Sequence, residues 1–466
     1  MSSPQPRRLR RGLLVAVVVL LVLAGGAVAF VLAHKPGDVS HPNVSFTTGA
    51  TTAPPPAPRP QAVDRFLWPT YGFTENRTRD FGDAPGYLRP HLRRGWTYRG
   101  GALLEFPPAI DGGSLYVLDD NGVLTAFGKV SGHVRWQRKV GQLAAATPAV
   151  GDGNVYAVAL RGLGGSGSGR VAAYRGSDGH QLWAKTLPSR AESSPLLRHG
   201  ALYFGSEDGT VYALRASDGH TLWTYSASGA VKGGPAYANG NLYFGDYGGK
   251  VHAVRASDGH EVWSVGTNGA RFGFGSGSFY STPAVAFGRV YLGNTDGRVY
   301  SFAAGSGQLA WATSTGAYVY ASPAVADTPG LGPTVYIGSY DGNFYAFDAR
   351  SGSVRWRFPA GAKISGSATI VSDVVYFSDL GARNTIGLNV RNGHRAFFWP
   401  DGAFNPVVAD RRAIYLDGYV NLYELLPARA TPYWTRAQAA AARAEQQMQP
   451  KPKPKRPARA ARSARG

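Results

Sequence analysis

The sequence predicts an all-β, eight-bladed propeller preceded by one transmembrane helix, on three observations. Tryptophans recur every 40 to 48 residues, glycine-rich turns divide each interval into four short alternating strands, and an uncharged apolar run stands near the amino terminus.

The tryptophans are Trp96, Trp136, Trp183, Trp223, Trp263, Trp311 and Trp356, spaced 40, 47, 40, 40, 48 and 45. The last six each follow a turn glycine by four residues: Gly132, Gly179, Gly219, Gly259, Gly307 and Gly352. Gly393 continues the series, with Phe397 in the aromatic slot. One unit can be read in full. Ser194-Pro195-Leu196-Leu197 opens a strand, Ala201 to Gly205 is a second, Asp208-Gly209 turns into a third at Val211 to Leu214, and Ser217-Asp218-Gly219 turns into a fourth ending at Trp223. Four antiparallel strands in about 40 residues are the period of a propeller blade, and the alternation leaves no helical period. The other units open at Pro108, Pro148, Pro235, Pro283, Pro323 and Pro406.

Seven units are complete. An eighth runs from Pro406 to Leu425 without a fourth strand, while Arg93-Arg94-Gly95-Trp96 has no blade of its own. A strand at 87–98 therefore closes the ring on the last blade, which removes two open sheet edges. Each indole is expected to fill the gap between its own blade and the next, so these tryptophans and glycines are structural.

The flanks carry most of the charge. Of a net +20, residues 1–12 hold +4 and 427–466 hold +9, against +7 for 65–426, so nucleic acid is not an expected partner. Arg7, Arg8, Arg10 and Arg11 precede an apolar run at 13–33 that is long enough to span a bilayer and longer than a signal-peptide core. Cleavage near Ala27-Val28-Ala29 is the competing reading. The arginines place 1–12 in the cytoplasm and the propeller, 66–426, outside a cell membrane. Residues 34–65, rich in Pro, Thr and Ala, read as a stiff solvated spacer, and 427–466 as a disordered basic tail or a polybasic arm for anionic cell-surface polymer. With no cysteine, disulfides and thiolate metal sites are excluded.

Ala213-Leu214-Arg215-Ala216-Ser217-Asp218-Gly219-His220-Thr221-Leu222-Trp223 and Ala346-Phe347-Asp348-Ala349-Arg350-Ser351-Gly352-Ser353-Val354-Arg355-Trp356 resemble the tryptophan-docking motif of pyrroloquinoline-quinone (PQQ)-type propellers. That family holds quinoprotein alcohol and glucose dehydrogenases and a non-enzymatic lipoprotein of outer-membrane barrel assembly. The usual aspartate of the motif survives only as Asp348, with Gly128, Arg175, Arg215, Arg255 and Ala303 elsewhere.

As an enzyme, the resemblance would imply PQQ over the propeller axis, calcium held by carboxylates and amides, and an aspartate base. Glu192, Glu207, Asp208 and Asp246 are scattered, and His133, His180, His220, His260 and His394 each follow the turn glycine of a different blade, too dispersed to converge on a metal. No cofactor is expected. The sequence therefore favours a non-catalytic scaffold for protein or surface polymer, with a PQQ oxidoreductase and a small-ligand sensor as alternatives. Phe272, Phe274, Phe279 and Tyr318 form the candidate binding patch, at one mouth of the ring.

Overall fold

In the computed structural model, which describes residues 17, 20, 21, 37–48, 65–163, 167–267 and 277–428, the unit at Ser194 to Trp223 is a four-stranded antiparallel meander. Its strands are Leu196–Arg198, Ala201–Gly205, Thr210–Arg215 and Thr221–Ser226, ordered from the axis outward. His199 and Gly200, at φ +47° and +74°, make the first hairpin, a backbone that glycine supplies without strain.

Eight such sheets follow in chain order. The first blade begins at Ala109–Asp111, the fourth at Ala236–Ala238, the fifth at Ala284–Ala286 and the seventh at Thr369–Val371. The eighth holds Val407–Ala409, Ile414–Asp417 and Asn421–Pro427, and its outer strand is Leu92–Arg99, paired from Asn421↔Arg99 to Pro427↔Leu92. The closing strand starts later than the expected residue 87, because Gly86–Leu88 forms a 3-10 turn.

Seven of the eight blade seams, all but that between blades 7 and 8, use one device. Indole N–H groups of Trp96, Trp136, Trp183, Trp223, Trp263, Trp311 and Trp356 each donate to a carbonyl of the next blade, at 2.8–3.1 Å. Each ring also lies on that blade's turn glycine; a Cβ on Gly219 would stand 2.7 Å from the Trp183 ring. Where the motif aspartate is missing, Arg175, Arg215 and Arg255 instead pair with Asp178, Asp218 and Asp258 three residues on. The seam between blades 8 and 1 adds buried charge: Lys129 meets Asp410 at 2.7 Å, and Arg412 pairs with Glu424.

Two amino-terminal segments join the ring. The spacer expected at 34–65 is not solvated throughout: Val39–Ser40 pairs with Leu309–Ser314, the outer strand of blade 5, as a fifth strand. Arg289 then clamps the following residues, donating to the carbonyls of Pro42, Val44 and Ser45, while Phe46 stacks on Phe287 at 5.7 Å. Unsatisfied backbone at a sheet edge is filled by any extended chain, whatever its side chains. Residues 65–88 dock on the axis instead. Among the described residues no helix is long and apolar enough to cross a membrane; the expected span at 13–33 lies outside them apart from Val17, Leu20 and Leu21, which are helical and exposed. The tail from 429 onward also lies outside them.

Candidate functional site: the two ends of the channel

The innermost strands line a central channel, and the residue before each strand-opening proline faces a neighbour around the axis. Thr282 Oγ1 accepts the Gly234 N–H, Ser322 Oγ the Thr282 N–H, Ser367 Oγ the Ser322 N–H and Asn405 Oδ1 the Ser367 N–H, all at 2.9 Å. Asn405 Nδ2 reaches the Glu105 carbonyl, Thr147 Oγ1 the Pro107 carbonyl, and the Thr147 N–H donates to Ser194 Oγ. These short polar side chains form a belt at the end of the channel where the inner strands start, here called the mouth. The signal for it was in the sequence, as Thr147-Pro148, Ser194-Pro195, Thr282-Pro283, Ser322-Pro323 and Asn405-Pro406.

The opposite end is closed by residues 65–88, a plug. Leu67–Trp68 pairs with the inner strand of blade 1. The carbonyls of Pro69, Glu75, Asn76, Thr78 and Arg79 then accept the N–H groups of Val150, Tyr237, Val285, Val325 and Ile370, in blades 2, 4, 5, 6 and 7. Arg77 and Arg79 are buried on the axis. Arg77 Nε donates to the Pro235 carbonyl at 2.7 Å and Nη2 to that of Ser194 at 2.9 Å, while Nη1 reaches Thr70 Oγ1 and the Tyr71 carbonyl. Burial, then Arg79 alongside, pulls the Arg77 guanidinium down to about 9. Gly234 is the one belt position without a side chain, and the guanidinium takes that space: a Cβ there would lie 3.0 Å from Arg77 Nη2. Tyr71 projects to the belt, bonding Ser367 Oγ and Asn405 Oδ1, with Arg79 over its ring at 4.4 Å.

Between Tyr71 and the mouth only about 30 Å³ of cavity remains, lined by the belt, Glu105, Lys232, Tyr280 and Tyr320. That admits one or two waters. Beside it, Lys232 bridges Glu192 at 2.6 Å and Glu207 at 2.9 Å, so two of the scattered carboxylates do meet. Asp246 sits apart with His252 and Ser228, and Asp208 serves its own turn. Burial, then Glu192 and Asp120, pushes the Glu105 carboxyl up to about 7. The five turn histidines are exposed on separate blades. Among the described residues no group of three His, Asp or Glu could hold a metal ion.

The predicted patch changes membership. Phe279 is fully buried, edge-on to Tyr300 and pressed against Gly245, because its N–H is tied back to the Asp246 carbonyl. Phe272 and Phe274 lie outside the described residues. Tyr318 is 54% exposed and packs with Tyr320 and Tyr340 at the mouth.

At the plug end one sector is open. Among the described residues the plug meets blade 3 through side chains: Thr70 Oγ1 and Arg77 Nη2 donate to the Pro195 and Ser194 carbonyls, and Glu75 pairs with Arg198. Among the described residues no backbone carbonyl takes the Leu197 N–H, the counterpart of Val150 and Tyr237. The resulting cleft of about 970 Å³ is walled by plug residues 69–76 and by the hairpins at Asp152, His199 and Asn239. Glu75 and Arg198 form an ion pair in its wall, with Arg198 over Tyr237 at 4.8 Å.

The sequence model of a family described as outer membrane protein assembly factor BamB matches residues 90–165, 161–327 and 226–436. No curated protein matches the sequence. Among solved structures, BamB from Moraxella catarrhalis shares 18% identity over 72% of this chain and 99% of its own, with a TM-score of 0.57. A quinohemoprotein alcohol dehydrogenase from Pseudomonas putida shares 14% over 78% and 81%, at 0.63, and a europium-containing methanol dehydrogenase 12% over 77% and 98%, at 0.63. At such identities the likeness is one of fold.

Proposed function

The chain belongs to the PQQ-like propeller family described by outer membrane protein assembly factor BamB, and from that premise we propose that it is a membrane-anchored, extracytoplasmic binding module without catalytic activity. Its apolar 13–33 segment is the anchor, with the basic residues before it in the cytoplasm. A protein is the partner this reading favours, bound at the cleft on blade 3; the basic tail adds attraction for anionic surface polymer.

The observation that carries the proposal is the contrast in space along the axis. Small-molecule pockets measure roughly 300–1,000 Å³. About 30 Å³ at the mouth does not fit a tricyclic quinone, and Glu192 and Glu207 beside it are engaged by Lys232. About 970 Å³ at the plug end, with the inner strand of blade 3 in its wall and, among the described residues, no backbone carbonyl on its Leu197 N–H, suits an extended backbone from a partner, which adds to free edges by main-chain bonds.

A photo-crosslinking residue at Asn239 in the membrane-bound full-length protein should give discrete protein adducts, and one at Asn121, on the mouth side, should not. Leu197→Arg should reduce the Asn239 adducts. A bound-cofactor spectrum and dye reduction after incubation with PQQ and calcium would overturn the proposal in favour of an oxidoreductase.

A further inference from the structure

We infer that the mouth-side rim of blades 5 and 6 rests on the surface of the bilayer, so that the ring sits on the membrane and not above it. This deepens the anchor reading, on which it rests, by naming the face and its occupant, the lipid headgroup layer.

The argument begins with chain length. From Gly37 onward the backbone is fixed to the ring: Arg298 Nη1 donates to the Gly37 carbonyl at 3.1 Å, and Asp38 Oδ1 accepts the Ser314 N–H and hydroxyl at 2.9 and 2.8 Å. Val39 then faces Ala312 and Ser40 faces Trp311. Only residues 34–36 separate this contact from the end of the apolar run at Ala33. At 3.3–3.6 Å per residue, those four peptide links reach at most ~14 Å.

Direction selects the face. The outer strand of blade 5, Leu309–Ser314, runs toward the mouth, since the connection after it leads to the start of the next inner strand, Ala324–Thr328. The pairing is antiparallel, so residues 37 and 38 stand at the mouth end and Pro42 to Phe46 at the other. The membrane end of the tether is therefore at the mouth-side rim.

The chemistry of that rim suits headgroups. The connection after Ser314 carries Tyr318 and Tyr320, which cluster with Tyr340, and Lys363 lies over Tyr340 at 5.5 Å. Tyrosine favours the interfacial layer, and lysine favours anionic lipid. The nearby Asp341 carboxylate is turned inward, accepting the Gly316 N–H and the Tyr345 hydroxyl.

The absence of cysteine makes single-site labelling direct. Full-length protein carrying Tyr318→Cys or Ser306→Cys is labelled with a fluorophore and placed in phosphatidylcholine–phosphatidylglycerol vesicles containing headgroup-nitroxide lipid. Ser306 is the exposed control on the opposite face of the same blade. Quenching at 318 should exceed that at 306 several-fold. A flexible Gly/Ser insert of about 20 residues before Gly37, with a mean span of ~25 Å, should abolish the difference. Equal quenching, stronger quenching at 306, or a difference that survives the insert overturns the inference. Release of the protein by alkaline extraction would instead remove the anchor reading and this inference together, whereas anchored protein with equal quenching removes the inference alone.

Discussion

The two ends of the channel are closed by unlike means. At the mouth, blade after blade contributes one short polar side chain, and the belt arises from repetition itself. At the other end a single non-repeating segment crosses the axis, and its backbone carbonyls meet the inner strands of blades 2, 4, 5, 6 and 7. The belt has one gap, at Gly234, and the plug's Arg77 fills it. The plug, which must enter and turn, makes no backbone–backbone bond to blade 3 among the described residues and leaves the cleft. Symmetry closes a ring, and an asymmetric insert both seals it and leaves a cleft beside blade 3.

Four perturbations break or sharpen this contrast. Deleting residues 86–98 removes the closing strand on which both ends depend, and the whole domain should unfold; an unchanged melting transition would show that blade 8 is dispensable. Arg77→Met acts on the plug and also vacates the space at Gly234 that the guanidinium fills in the belt. It strips donors from the buried carbonyls of Ser194, Pro235 and Tyr71, for an expected loss of roughly 1–3 kcal/mol in denaturant unfolding. Ser322→Ala touches the mouth alone and leaves the Thr282 N–H without an acceptor, at about 1 kcal/mol. A larger effect for Ser322→Ala than for Arg77→Met would reverse the assignment of the plug as the more demanding seal.

The fourth perturbation concerns pH. Glu105 titrates at about 7 in the folded chain against an ordinary 4.5, so the folded state keeps a proton that the unfolded state releases between those values. Its contribution to stability therefore falls as pH rises from about 4.5 to 7 and is constant outside that window. Glu105→Gln should flatten this part of the stability–pH curve, and an unaltered slope would place the responsible group elsewhere.

Much of the ring was legible because its determinants recur. Trp183 and Gly219 meet across a seam for the same reason as Trp223 and Gly259, and seven repetitions exposed the rule. The belt was equally periodic, yet the prolines beside it carried the strand-start signal and masked the residue before them. The candidate site was hardly legible. Phe279 read as a patch residue beside a glycine-rich loop, whereas the chain direction set by its backbone bond to Asp246 turned it inward.

Alone, the sequence determined the number of blades, their strand order, the closure by an early strand and the spacing of indoles, since hairpin glycines and alternating apolar residues act within some 40 residues. Only the tertiary structure decided where residues 37–48 and 65–88 go. The edges they occupy exist once the sheets have assembled, and main-chain bonding to an edge carries almost no side-chain signature.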